Sequence, residues 1–413
     1  MADLARMTRD FQVTAVAGGV TAAAGFRSGA VHCGIKASPS ALDLVVLAAD
    51  EPVPAAGLFT TNLVQAAPVT VSRDHLMRTA GAARAIVVNS GCANACTGRE
   101  GLDNARRMTE ELAASVGCSP DNVLVASTGV IGVGLEMSKV TPGIRAAVAR
   151  LARGSGSDAA RAIMTTDPFP KEYAVTIASS ASAFTVGGMA KGSGMIEPKM
   201  ATMLGFLTTD AQLTPRQLQR ALEASARDTF NAITVDGECS TNDSLFALAS
   251  GTSGVVIDEV LYPALLEGFL AVSRELALGI VRGGEGATKL IAITVRDAAT
   301  EDDARTVART IANSPLVKTA VHGADPNWGR IVAAAGRSGV AFDVDRATVH
   351  IGGILLFERG RPHDEATPLA AEHMKHDSIQ LDVSLGAPAG ASATIWTCDL
   401  SAEYVRINGE YRT

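Results

Sequence analysis

The stretch GGMAKGSGMIEPKMATML, residues 187–204, decides how this chain is built, because a glycine-rich bend with one lysine inside it runs into an apolar strand. Lys191 lies in the bend, where its ammonium group, a compact charge on a long stem, is suited to hold a ligand carboxylate. Ala201 and Thr202 directly precede the predicted strand over residues 203–207. A threonine hydroxyl on a tight turn can attack the preceding carbonyl, and the cut would leave Thr202 with a free α-amino group, whose pKa of about 8 suits a general base. The pattern alone is explained more simply by a β-branched residue at the start of a strand.

The composition describes a globular protein. The chain has 413 residues, of which 47% are hydrophobic and 19% are charged, and its formal net charge is −7. This length allows two or three domains, or one large core with an appended lobe. Because aromatic residues make up only 4% and the net charge is negative, the sequence offers neither a basic surface for phosphates nor a platform for stacked bases. We therefore expect no nucleic-acid partner.

No export, membrane or metal-binding signal is found. The apolar runs fall short of the ~18 residues that a membrane span needs. The start, MADLARMTRDFQ, carries charges where a signal peptide is apolar. The six cysteines are scattered, and Cys92 and Cys96 lack the nearby histidines and the tighter spacing of a zinc site. We expect a cytoplasmic protein with no membrane contact and no metal.

Strand and helix patterns alternate along the chain. An apolar strand is predicted over residues 42–49, with a turn at residues 50–52. Threonines followed by proline predict helices that start at Thr141-Pro142 and Thr214-Pro215. The class is therefore α/β or α+β with layered sheets. The sequence lacks the phosphate loop, the complete dinucleotide fingerprint and the Gly-x-Ser-x-Gly elbow, which disfavours kinases, dinucleotide-dependent oxidoreductases and α/β-hydrolases.

Three further loops are dense in glycine, serine and threonine, a composition that brings backbone N–H groups and hydroxyls close to a ligand. In the first loop, Thr128 and Gly129 either offer a hydroxyl and an N–H to a developing oxyanion or form a plain turn at a strand end. In the second, Thr165 and Thr166 are either a pair of ligand-binding hydroxyls or a helix C-terminal turn. In the third, Glu285 is framed by glycines and either grips an amine or is an exposed residue at a helix C-cap.

Taken together, these segments resemble the ornithine acetyltransferases, the bifunctional glutamate N-acetyltransferases of arginine biosynthesis. The matching stretches are residues 89–95 (NSGCANA), 126–132 (ASTGVIG), 163–167 (IMTTD), 191–204, 236–243 (DGECSTND), segments within 314–330, and the C-terminal residues 404–413. They occur in the family's order and cover essentially the whole chain. Each stretch is weakly specific by itself, and the set is highly specific.

The resemblance implies self-cleavage between Ala201 and Thr202, which divides the chain into residues 1–201 and 202–413 and makes Thr202 an N-terminal nucleophile. It implies that the Thr128 hydroxyl and the Gly129 N–H form the oxyanion hole. It also implies substrate contacts from Thr166, Lys191, Thr202, Glu285, Asn408 and Thr413. The implied fold is an αββα-like sandwich, similar in outline to the N-terminal-nucleophile hydrolases but with the family's own topology, plus a smaller α/β lobe.

The implied reaction transfers the acetyl group of N-acetylornithine to glutamate through an acetyl ester of Thr202, with no cofactor and with acetyl-CoA as a second candidate donor. Two copies of each processed chain are expected to associate. Two alternatives stay open. One is an amidase or aminopeptidase on a related self-processing fold, in which water resolves the acyl-enzyme. The other is a non-catalytic binding protein for small amino acids, whose chain is never cut.

Overall fold

A computed structural model describes residues 11–180, 182–197 and 203–410. Its strands are β1 (Gln12–Ala15), β2 (Phe26–Val31), β3 (Leu44–Phe59), β4 (Ala82–Cys92), β5 (Val123–Val130), β6 (Lys171–Ala178), β7 (Ala183–Lys191), β8 (Leu204–Thr209), β9 (Ser244–Ala249), β10 (Leu290–Ala298), β11 (Thr348–Ile351), β12 (Ile354–Glu358), β13 (Arg361–Pro362), β14 (Ser378–Ser384) and β15 (Ala391–Cys398). Its α-helices are α1 (Ala67–Arg78), α2 (Gly98–Val116), α3 (Met137–Ala149), α4 (Gly156–Ala162), α5 (Pro215–Arg227), α6 (Tyr262–Arg282), α7 (Glu301–Ala312), α8 (Pro315–His322), α9 (Trp328–Gly336), α10 (Thr367–His373) and α11 (Ala402–Glu410). No helix within these ranges combines the length and the apolar character that crossing a bilayer requires.

Strand β3 joins two halves of one large sheet. The strand order is β1-β6-β7-β8-β9-β3-β4-β5, and β2 also pairs with β3. The first part of β3 pairs with β2 and β4, and its last part pairs with β9, where Ala55 lies opposite Leu248. Between these parts the register against β4 shifts from Ala48 to Val53, and residues 50–52 are exposed. The turn predicted at residues 50–52 is therefore wrong, because an irregularity bends the strand without ending it.

The two half-sheets pack face to face, and helices cover both outer surfaces. The first half-sheet comprises β2, β5, β4 and the start of β3, and the second comprises β1, β6, β7, β8, β9 and the end of β3. Leu47 and Val88 of the first meet Phe206 and Phe246 of the second in the inner core. Helices α1, α2 and α3 cover the first half-sheet, and α5 and α6 cover the second. The layers follow the order helix, sheet, sheet, helix, so the αββα-like fold class is confirmed.

A smaller α/β lobe follows the large sheet in the chain. Its strand order is β13-β12-β11-β14-β10-β15, in which β10 is parallel to β14 and antiparallel to β15. Helices α7 and α9 pack on this sheet through a core of its own that includes Ile293, Ile311 and Ile331. The lobe that the resemblance implied is therefore present, and it has an independent hydrophobic core.

The two helix starts predicted from threonine and proline have different outcomes. Thr214 caps α5 as predicted, because its side chain accepts a hydrogen bond from the Gln217 N–H in a reciprocal capping box. The start predicted at Thr141-Pro142 is wrong, since α3 begins at Met137 and contains Pro142 in its second turn. Met137 and Val140 are buried in the core under the first half-sheet, and this burial stabilises the extra turn against the cost of an interior proline.

Candidate active site

One cavity lies where β5, β7 and β8 meet at the same end of the two half-sheets. Six of the residues singled out in the sequence line it: Thr128, Gly129, Thr166, Lys191, Glu285 and Asn408. They come from five separate segments, so only the fold brings them together. Ala201, Thr202 and Thr413 lie outside the described residues. Met203, the residue that follows Thr202, lines the same cavity.

Gly129 shapes the oxyanion-hole candidate through its backbone. Its φ is +130°, and an added Cβ would stand 2.3 Å from the carbonyl carbon of Gly91 on the neighbouring strand. At this point the parallel pairing of β4 with β5 becomes irregular, and Cys92 faces both Thr128 and Val130. Only glycine allows the two strands to approach this closely in this conformation. The bend leaves Thr128 half-buried at the cavity wall.

Lys191 links the two half-sheets at the cavity. It is the last residue of β7, pairs with Leu204 of β8, and is 9% exposed. Its Nζ donates a hydrogen bond of 3.2 Å to Oγ1 of Thr128. An ammonium group can only donate, so the Thr128 oxygen is the acceptor and its own proton remains available for another acceptor. This arrangement suits Thr128 as a donor to an oxyanion, because the nearby positive charge strengthens the bond.

A buried ion pair lies behind Lys191. Asp167 accepts a hydrogen bond of 2.6 Å from Nζ of Lys171 and one of 2.8 Å from the Gly192 N–H. Burial opposes ionisation of Asp167, but the charges of Lys191 and Lys171 outweigh it and lower the pKa of this carboxyl to about 2. Because Asp167 is bound to Lys171, Lys191 keeps donors for a ligand carboxylate. Thr166, next to this carboxylate, lines the cavity, so the hydroxyl pair's loop is both a turn after α4 and part of the wall.

Glu285 forms an acidic region of the cavity. Its carboxylate accepts a hydrogen bond of 2.8 Å from the Asn408 side-chain amide, and its backbone N–H donates to the Ser193 carbonyl at 2.9 Å. A Cβ on Gly194 would come within 2.4 Å of this carboxylate, so the glycine-rich bend leaves room for it. Glu285 is 7% exposed. The interpretation of Glu285 as an exposed C-cap residue is therefore wrong.

Three cavity residues were not assigned a role from the sequence. Asp236 accepts hydrogen bonds from the backbone N–H groups of Met195 (2.7 Å) and Ile196 (2.8 Å). The Tyr404 hydroxyl donates to the same carboxylate at 3.3 Å. Asp243 is 2% exposed, and burial raises the pKa of its carboxyl well above the usual range. The available signal was the polar run DGECSTND directly before an apolar strand, which marks a loop but not a role.

The cavity is positive around Lys191 and negative around Glu285, Asp236 and Glu238. A ligand with a carboxylate and an ammonium group, such as an amino acid, complements this distribution. Met203 brings the chain immediately after Thr202 to the same space. The described ranges contain no group of three or more potential metal ligands. The arrangement thus favours acyl chemistry on an amino-acid derivative.

Comparison with known proteins identifies close relatives. A sequence model of the ArgJ family matches residues 27–413. The arginine biosynthesis bifunctional protein ArgJ of Symbiobacterium thermophilum is 46% identical over 404 residues, which cover 96% of this chain and 99% of the relative. The protein of the same name from Dehalococcoides mccartyi is 46% identical over 400 residues, covering 96% and 98%. Among solved structures, ornithine acetyltransferase from Mycobacterium tuberculosis complexed with ornithine is 42% identical, with a TM-score of 0.42, and the match covers 46% of this chain and 100% of that chain.

Proposed function

Because the chain belongs to the ArgJ family, we propose that it is an acetyltransferase that moves the acetyl group of N-acetylornithine to glutamate. The family inferred from the sequence motifs is confirmed by the family match and by the relatives' near-complete coverage. The observation that carries the proposal is the convergence of six implied site residues on one cavity, next to the residue that follows Thr202.

The proposed nucleophile is made by self-cleavage between Ala201 and Thr202, which yields chains 1–201 and 202–413. The Thr202 hydroxyl attacks the Ala201 carbonyl, the amide bond becomes an ester, and water hydrolyses the ester. Support comes from the downstream side of the bond, where the Met203 carbonyl accepts a hydrogen bond of 3.0 Å from the Ser244 N–H. The strand β8 therefore begins at a defined position directly after the nucleophile.

In the proposed acetyl transfer, the Thr202 oxygen attacks the acetyl carbonyl of N-acetylornithine while its α-amino group takes the proton. The Thr128 hydroxyl and the Gly129 N–H stabilise the tetrahedral oxyanion. Ornithine leaves with that proton, and an acetyl ester of Thr202 remains. The amine of glutamate then attacks the ester, which gives N-acetylglutamate and regenerates the threonine.

The substrate is held by charge in this proposal. Lys191 pairs with the carboxylate of N-acetylornithine, and Glu285 pairs with its side-chain ammonium. Asn408 orients Glu285 through the amide hydrogen bond described above. Thr166 and Thr413 complete the contacts. No cofactor enters these steps, and acetyl-CoA is a second donor able to form the same ester. We propose that two copies of each processed chain associate in the cytoplasm.

The test is Thr202→Ala. This variant should remain one chain of 42.4 kDa on a denaturing gel and transfer no acetyl group, because it lacks the attacking oxygen. Thr70→Ala, at an exposed threonine of α1, is the control and should be cut into two chains as the wild type is. A cut Thr202→Ala chain would exclude Thr202 as the nucleophile.

The acceptor is tested by incubating N-acetylornithine with and without glutamate. Ornithine release that depends on glutamate supports the transferase, whereas equal release without it supports the amidase alternative. A wild-type chain that is uncut and inactive, and binds only free amino acids, supports the binding-protein alternative. N-acetylglutamate formed from acetyl-CoA would identify the second donor.

A further inference from the structure

Residues 192–197 lead into the proposed cleavage site, and we call them the approach segment. Its last described residues are held by side chains and backbone from the 234–236 stretch. The Asp236 carboxylate binds the N–H groups of Met195 and Ile196, and the Ile196 carbonyl accepts hydrogen bonds from the Val235 N–H (2.8 Å) and the Thr234 hydroxyl (3.1 Å). These bonds fix the backbone up to Ile196.

Glu197 is held by the smaller lobe. It is 7% exposed, and its Oε1 lies 3.1 Å from Nη1 of Arg309. Its Oε2 accepts a hydrogen bond of 3.1 Å from the Asn313 side-chain amide. Arg309 and Asn313 are four residues apart at the end of α7, so they present both donors on one side of that helix.

The partners of Glu197 are themselves fixed. The Asn313 amide oxygen accepts a hydrogen bond of 2.8 Å from the Thr234 hydroxyl, so both ends of the amide are used. The Arg309 guanidinium also donates to the Asn231 carbonyl at 2.5 Å. A buried carboxylate with two ordered donors has little freedom to move, because leaving it unpaired costs several kcal/mol.

Neither Arg309 nor Asn313 lines the cavity, so the acetyl transfer proposed above has no use for them. We propose that Arg309 and Asn313 are positioning residues for self-cleavage, which act by fixing Glu197 on the upstream side of the Ala201–Thr202 bond. This inference rests on the proposed function. Ser244 holds Met203 on the downstream side, so the chain is fixed on both sides of residues 198–202. Attack within a peptide requires the oxygen and the carbonyl carbon at about 3–3.5 Å, and a displacement of about 1 Å can cost 10²-fold in rate.

The experiment measures conversion of newly made full-length chain into two chains over time on denaturing gels. Arg309→Ala and Asn313→Ala should each slow this conversion at least tenfold. The fraction that does mature should keep its acetyl-transfer kcat within about twofold, because the cavity is unchanged. Arg309→Lys, which keeps the charge, should restore part of the rate.

The matched control is Arg305→Ala. Arg305 lies one turn earlier on α7 and binds Asp228 and Glu301, neither of which belongs to the approach segment. It should mature at the wild-type rate. If Arg309→Ala does not fold, Glu197→Gln replaces it, since this variant keeps the size and the Asn313 contact but loses the ion pair.

Conversion of Arg309→Ala and Glu197→Gln at the rate of Arg305→Ala would overturn the inference while leaving the proposed function intact. Equal losses in the conversion rate and in kcat of the matured fraction would indicate general distortion and would also overturn it. A wild-type chain that is active but never cut would overturn the proposed self-cleavage, and the inference with it.

Discussion

Asp243 is a buried carboxyl at the cavity wall, and its Oδ2 has no hydrogen-bond partner among the described residues. Burial raises its pKa, and the hydroxyls of Ser240 and Thr60 and the charge of Lys191 offset this only in part. The folded state therefore favours the protonated form. Relative stability from this group is full below the unfolded pKa of about 3.9 and is lost as the pH rises towards the folded value.

We predict that Asp243→Asn gains stability relative to the wild type as the pH rises from 5 to 8, because the amide has no proton to lose. The gain is bounded by about 1.4 kcal/mol per pH unit. Thermal unfolding of both proteins at the two pH values measures it. Asp377→Asn, at an exposed carboxyl, serves as the control. A melting difference that is the same at pH 5 and pH 8 would contradict the prediction.

The junction of β4 and β5 is the element on which the oxyanion-hole candidate depends. An alanine at Gly129 would force its Cβ against the backbone of Gly91 and Cys92, at 2.3 Å and 2.5 Å. Backbone atoms cannot move aside as a flexible side chain can, so the two strands must separate at the end that carries Thr128.

Gly129→Ala is predicted to lower kcat about 100-fold and to slow chain cutting, because Thr128 and the residue-129 N–H shift together. Steady-state kinetics and a denaturing gel measure the two effects. Gly132→Ala is the matched control, since its φ is +78° but no atom lies within 4 Å of the added Cβ. It should lose about 1 kcal/mol of stability from backbone strain and keep its activity. Equal kinetic losses in both variants would show that strain alone is responsible.

At the scale of the whole molecule, Asp399 connects the smaller lobe to the loop that carries Glu285. Its carboxylate accepts hydrogen bonds from the N–H (2.7 Å) and hydroxyl (2.6 Å) of Thr288 and from the N–H of Lys289 (2.9 Å). His322 of α8 lies 2.7 Å away on the other side. Burial opposes ionisation of Asp399, but these bonds outweigh it and lower its pKa.

Asp399→Asn is predicted to cost about 1–3 kcal/mol at neutral pH and to raise the KM for N-acetylornithine, because the Glu285 loop loses its anchor. A lowered folded pKa stabilises above the unfolded pKa, so the difference from the wild type should be constant from pH 8 to pH 5 and close below about pH 4. Unfolding at these pH values and steady-state kinetics measure both effects. Asp382→Asn, which removes an ion pair with Arg296 in the same lobe, should change stability by less than about 1 kcal/mol. A KM unchanged in Asp399→Asn would refute the anchoring role.

The sequence by itself determined the family and the layered class, because motif order and apolar patterning are properties of local segments. It also predicted Lys191, Glu285 and the Thr128-Gly129 pair, since their glycine-rich surroundings are visible without a fold. The roles of these residues, and those of Ala201, Thr202 and Thr413, remain predictions that the variants above test.

Only the tertiary structure decided which groups meet. Asn313 and Glu197 are 116 positions apart, and no local pattern relates them. The crossing of β3 between two half-sheets and the start of α3 before Pro142 depend on burial against distant segments, which outweighs local turn and capping signals. The charge at the cavity likewise depends on whether Lys171 or Lys191 pairs with Asp167. That pairing is set by which side chains the folded chain excludes from water together.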